Sequence, residues 1–232
     1  MKRKFLCLLL ALTMVLGLAA TVSAAEEIIT SGDWSYMIYD GMAQLRYYEG
    51  SDPVVTVPAE IDGYKVYSIG WGLTCPFAGV RDVLTDVVIS DCVEVIGEQC
   101  FYNCESLKNI EFGKNLKQIG ARAFINCIAL TEMEIPDTVT SLGLRAFNNC
   151  MGLKKVVLGS GITEIGSYQF SLCIGLEWIT IKSPVTSIGE YAFSECASMR
   201  KIFCRFPESA WTEPELGEGN ELYDSFEMVF DQ

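Results

Sequence analysis

A β-rich repeat solenoid with short helical turns is the fold this sequence predicts, and three observations predict it. Gly97, Gly120, Gly143, Gly166 and Gly189 follow one another every 23 residues. Phe101, Phe124, Phe147, Phe170 and Phe193 keep the same spacing, as do Cys104, Cys127, Cys150, Cys173 and Cys196. A short apolar strand follows each cysteine. A fixed period of roughly 20–30 residues marks units that bury their apolar faces only against their neighbours, and so must stack in a row.

Each position of the unit has a physical assignment. Leu107-x-x-Ile110-x-Phe112 reads as a strand, with Leu130/Met133/Ile135, Leu153/Val156/Leu158, Leu176/Ile179/Ile181 and Met199/Ile202/Cys204 as counterparts. The alternating apolar pair points inward, and the residues between them face out along one parallel sheet. The Ile-Gly step turns the chain back where a side chain would crowd it. Residues 98–103 and their equivalents are expected to form a short helical turn on the opposite wall. Phenylalanine fills the space between the walls, and the small residue before it (Ala123, Ala146, Ala192) permits close approach; Cys100 and Gln169 depart from alanine there.

The rest of the chain divides around this array. Residues 1–24 combine Lys2, Arg3 and Lys4, an apolar run from Phe5 to Leu18 and the small-residue site Val22-Ser23-Ala24, the anatomy of a secretory signal peptide. The apolar run is shorter than the ~20 residues of a spanning helix, so a membrane anchor is the weaker reading. Residues 25–68 form an N-terminal cap with a β-hairpin around Asp40-Gly41. Residues 69–205 are the repeats, one irregular and five regular. In the irregular one Gly70 precedes Gly97 by 27 residues, and the insertion falls in 71–80. Residues 206–232 are a C-terminal cap or tail.

The pattern I-G-x-x-x-F-x-x-C-x-x-L-x-x-I-x-I/L/F resembles the BspA-type leucine-rich repeat, and Val57-Pro58-Ala59-Glu60-Ile61-Asp62-Gly63-Tyr64-Lys65-Val66 is similar to the segment that opens such arrays. The resemblance covers about Val54 to Cys204. It implies a leucine-rich-repeat solenoid, secreted or exposed on the surface of bacteria and some protists, engaged in adhesion or protein binding. No catalytic residues carry over.

Composition narrows the function further. The formal charge of −13 becomes −16 once the leader's three cations are removed. That disfavours nucleic acid and anionic membranes, which need clustered Lys and Arg. There is no histidine, which removes Ser-His-Asp and Cys-His mechanisms and the common catalytic zinc sites. No glycine-rich phosphate loop or other cofactor motif occurs. Glu111, Glu132 and Glu134 are the carboxylates that a glycosidase could use, but their columns place them on an open sheet surface. Nine cysteines follow the leader, five of them in one column. Stacked side chains point the same way rather than at each other, which predicts buried thiols rather than disulfides.

The outward columns do not repeat. Glu111 and Glu134 give way to Val157, Thr180 and Phe203, while Lys154, Lys155, Lys182, Arg200, Lys201 and Arg205 gather toward the C-terminal units around Trp178. Aromatics among cations resemble an interface hot spot. Val157, Trp178, Phe203, Lys155, Lys182, Lys201 and Arg205 are therefore the candidate ligand-binding residues, unless Trp211 or Phe226 of the C-terminal segment covers the two aromatics. The expected partner is an extracellular protein or glycan. The alternative is a structural, self-associating surface component without a specific ligand.

Overall fold

The computed structural model describes residues 27–72 and 74–231; the expected leader lies outside them. The chain opens with β1 (Ile29–Ser31), β2 (Trp34–Tyr39) and β3 (Met42–Tyr48), then β4 (Val54–Val57), β5 (Glu60–Ile61) and β6 (Tyr64–Ile69). Each following turn of the solenoid contributes a front and a back strand. These are β7 (Asp86–Ile89) with β8 (Val95–Ile96), β9 (Asn109–Glu111) with β10 (Gln118–Ile119), and β11 (Glu132–Glu134) with β12 (Ser141–Leu142). Next come β13 (Lys155–Leu158) with β14 (Glu164–Ile165), β15 (Trp178–Ile181) with β16 (Ser187–Ile188), and β17 (Lys201–Cys204) with β18 (Glu215–Leu216). β19 (Glu227–Phe230) is last.

Front strands pair in parallel as β4-β7-β9 and β11-β13-β15-β17-β19. Back strands run β6-β8-β10-β12 and β14-β16-β18, with the β1–β3 meander added in front of β6. Both ladders extend beyond the regular repeats: β4 begins the front sheet, and β18 and β19 continue the two sheets at the far end. The β2–β3 turn places Asp40 at φ 50° and Gly41 at φ 72°, the left-handed pair of a type I′ hairpin.

The core is a column of rings. Phe77, Phe101, Phe124, Phe147, Phe170 and Phe193 stack with centroids 4.9, 4.9, 5.2, 5.6 and 5.9 Å apart and planes within 13° of parallel. Trp34 closes one end edge-on at 5.9 Å, and Phe226 closes the other at 5.9 Å. Phe77 belongs to the segment that the sequence reads only as an insertion. Of the four extra residues, three precede Phe77 and one lies between Val80 and Leu84, so ring and strand both return to register.

The expected helical turns are absent, and this corrects the sequence reading. Residues 98–103 and their equivalents form a run of turns in which two non-glycine residues per unit are left-handed: Gln99/Asn103, Arg122/Asn126, Arg145/Asn149, Tyr168/Leu172 and Tyr191/Glu195. The reason lies in the hydrogen bonds. The N–H groups of Gln99, Phe101 and Asn103 donate to Ala121, Ala123 and Ile125 of the next unit, at 2.8–3.0 Å. Tyr102 and Cys104 instead donate back to Gln99 and Phe101. A helix would spend all these donors on its own carbonyls; alternation leaves every second one free to tie one unit to the next. Each left-handed residue costs about 1 kcal/mol, which asparagine reduces by bonding locally. Asn126 Nδ2 donates to Asn103 Oδ1 at 2.6 Å, and Asn149 Nδ2 to Asn126 Oδ1 at 2.7 Å.

All nine described cysteines are free thiols, seven of them buried. They are more than small hydrophobes. Cys127, Cys150, Cys173 and Cys196 each donate an S–H to the carbonyl of the phenylalanine one unit earlier, at 3.1–3.2 Å. Burial pushes the Cys104 thiol up to about 12 and that of Cys204 up to about 11.

Two outcomes test this core. Leu172 is left-handed at φ 64° and 40% exposed, so Leu172→Asn would extend the asparagine ladder. It is expected to raise stability by about 1 kcal/mol, measured by denaturant unfolding. With iodoacetamide at pH 8, the folded protein is expected to alkylate only at the half-buried Cys75 and Cys92; in guanidinium the seven buried thiols react as well, as read by peptide mass mapping.

Candidate binding face

The period-2 alternation of the front strands sends two columns of side chains outward. One runs Glu132, Lys155, Trp178, Lys201, Glu227, and the other Glu134, Val157, Thr180, Phe203, Val229, each set by parallel register. A third position, just past the strands, carries Lys182, Arg205 and Asp231. All seven candidate residues thus lie on one face. Lys155, Val157, Trp178, Lys182, Lys201 and Phe203 are half-buried there, and Arg205 is exposed.

Trp178 and Phe203 touch edge to face, with centroids 6.3 Å apart at 83°. Thr180 is only 8% exposed in its column between Val157 and Phe203. Neither proposed cover lies on the pair. Trp211 packs on Phe206 and Phe230, while Phe226 packs on Phe193 and Tyr223. The C-terminal segment caps the end of the core and continues the sheet sideways, which leaves the outward face open.

Four of the six cations expected to form a basic patch are paired with carboxylates, while Lys154 and Arg200 are exposed. Lys155 pairs with Glu132 at 2.9 Å, Lys201 with Glu227 at 3.0 Å, and Arg205 with Asp231 at 3.2 Å. Lys182 reaches Glu134 at 3.2 Å and Asp137 at 3.3 Å. Burial lowers the affinity of the Lys182 ammonium for its proton, but the two carboxylates more than offset it and hold its pKa above the ordinary lysine value. Asp137 is held below the usual carboxylate range, first by the Ser160 N–H and then by Lys182. Lys155 also sits over the indole of Trp178, 5.2 Å from its centroid. The physical reason is register: parallel stacking puts residues 23 apart side by side, so the acidic units and the basic units meet across the ladder.

An apolar strip of Val157, Trp178, Phe203 and Val229 therefore runs along the solenoid, bordered on both sides by neutralised ion pairs. Exposed pairs of this kind contribute only about 0–1 kcal/mol each to stability, so their chief effect on this face is to neutralise its charges. Of the carboxylates considered for acid–base chemistry, Glu132 and Glu134 are each engaged with a lysine, and Glu111 lies on β9. Among the described residues no three His, Cys, Asp or Glu side chains converge to hold a metal.

Sequence reasoning missed Glu227, Val229 and Asp231, which complete the columns. Their spacing hid them, because Glu227 follows Lys201 by 26 residues rather than 23.

The family described as BspA type leucine rich repeat region matches residues 77–202 in six copies, more than half of the chain. A leucine rich cell surface protein of Faecalibacterium prausnitzii is similar at 30% identity and a TM-score of 0.73, over 90% of this chain and 56% of that one. The leucine rich repeat protein of T. pallidum superposes with a TM-score of 0.59 at 22% identity, over 79% of this chain and 92% of that one. The pneumococcal vaccine antigen PcpA does so with a TM-score of 0.64 at 20% identity, over 88% of this chain and 49% of that one. At those identities the last two show the fold alone. This chain spans about half the length of the Faecalibacterium and pneumococcal proteins. No curated protein matches it. The six matched repeats, the 23-residue parallel register and the ringed core together identify the chain as a member of the BspA-type leucine-rich-repeat family.

Proposed function

We propose that this protein is a non-catalytic recognition module, displayed at or released from a bacterial surface, that binds an extracellular protein through the front sheet. The observation that carries the reading is the strip of Val157, Trp178, Phe203 and Val229 with its border of ion pairs. Apolar contacts at the centre with a polar rim are the arrangement of protein interfaces. A protein partner fits better than a glycan. Sugars stack on open aromatic faces, whereas Lys155 overlies the Trp178 ring and Phe203 meets it edge-on. Family membership and the Faecalibacterium cell-surface relative support the location. Among the described residues no helix is long and apolar enough to cross a membrane.

A structural, self-associating role is less well supported. From 206 to 232 the sequence holds eight Asp or Glu and no Lys or Arg, so two such ends repel.

The test compares wild type with a Trp178→Ala/Phe203→Ala double variant in pull-downs from bacterial and host surface extracts, beside a glycan array. Wild type is expected to capture a protein that the variant loses by tenfold or more, with the thermal midpoint moved by no more than a few degrees. Retained capture by the variant, or binding to glycans alone, overturns the reading. A mass that grows with concentration in light scattering would favour self-association.

A further inference from the structure

Among the described residues the back-sheet ladder is made at every junction but one. The glycine N–H of Gly70, Gly97, Gly120, Gly143, Gly189 and Gly217 donates to the carbonyl of Leu45, Ile69, Ile96, Ile119, Ile165 and Ile188, at 2.7–2.8 Å. One end of the strand is likewise tied by Glu94, Lys117, Thr140, Thr186 and Glu215, which donate to Tyr67, Glu94, Lys117, Thr163 and Thr186. Neither bond exists where Thr163 and Gly166 face Thr140 and Leu142, and β12 and β14 do not pair with each other.

The glycines record the same gap. A Cβ on Gly97, Gly120, Gly143, Gly189 or Gly217 would overlap the backbone of the preceding unit, whereas at Gly166 it would meet only the Gln169 side chain, Oε1 at 2.9 Å. Gln169 stands where the other units have Ala123, Ala146 and Ala192. It is 0% exposed, and both polar atoms of its amide lack a partner. An unpaired buried amide loses its hydrogen bonds to water and gains none in return, so this position is held against its own energetics. The other two walls remain closed: β11 pairs with β13, and Arg145, Phe147 and Asn149 donate to Ser167, Gln169 and Ser171 at 3.3, 3.1 and 2.8 Å.

We propose that the junction between β12 and β14 is a built-in joint, wedged open by Gln169. Here the back wall separates while the front sheet acts as the hinge. The joint lies level with Lys155 and Val157, where the apolar strip begins, so its opening changes the curvature of the front face at that point. Local opening of this kind exposes backbone amides at a free energy far below global unfolding. The proposal stands independently of what the front face binds.

Hydrogen exchange in the folded chain tests it. The Thr163 and Gly166 amides are expected to exchange at least tenfold faster than those of Thr140, Gly143, Thr186 and Gly189. Gln169→Ala, the residue of the neighbouring units, is expected to bring Gly166 into their range and to raise the thermal midpoint. A double-substitution cycle gives a second reading. Gly166→Ala is expected to be tolerated beside Gln169 but to lower the midpoint beside Gln169→Ala, because closing the ladder brings backbone against the new methyl group. Equal protection of Gly166 in the wild type overturns the proposal, as does a lower midpoint for Gln169→Ala or strict additivity of the two substitutions.

Discussion

The contact on which this molecule depends is the column of phenylalanine rings. Each ring in the stack is at most 2% exposed, and the four inner ones have a ring above and below in offset, nearly parallel contact. A ring can do this only if the chain returns to the same place after every turn, so the stack demands one period and the two ladders carry it. Where the sequence adds residues, as before Phe77, the extra chain is pushed out of the column and the ring is kept. The two ends follow the same rule. Trp34 and Phe226 present edges rather than faces and so terminate the stack.

The turns show what the stacking costs. Ten non-glycine residues in two columns take left-handed backbone so that alternate N–H groups can reach the next unit. Each is unfavourable alone; each also places a backbone donor and acceptor that would otherwise be left in the wall of the core. Asn103, Asn126 and Asn149 meet the demand with side-chain bonds, and the cysteine thiols add a second donor to the phenylalanine carbonyls. The thiol column is therefore part of the polar accounting of the core as well as its packing.

On the front face the same register sets the electrostatics. A chain of net charge −13 gathers cations toward one end, and stacking returns Lys155, Lys182, Lys201 and Arg205 to carboxylates one or two units away. What remains outward and unrepeated is the strip of Val157, Trp178, Phe203 and Val229. Recognition and architecture thus separate by column. The positions that repeat are buried and stack, and the positions that vary face the solvent.

The solenoid, its period, the buried columns and the face on which the variable residues stand are all legible in the amino-acid sequence, because each rests on periodicity along the chain. Four features emerge only when the units are stacked. These are the non-helical turns, the ion pairs between residues up to 48 apart, the open front face beside the C-terminal cap, and the unpaired seam at Gly166. Gln169 is visible in the sequence as a departure from alanine, yet its effect is not. A periodic pattern states which residues share a column, whereas a hydrogen bond, a salt bridge or a wedge depends on the distance between neighbouring units, which only stacking sets.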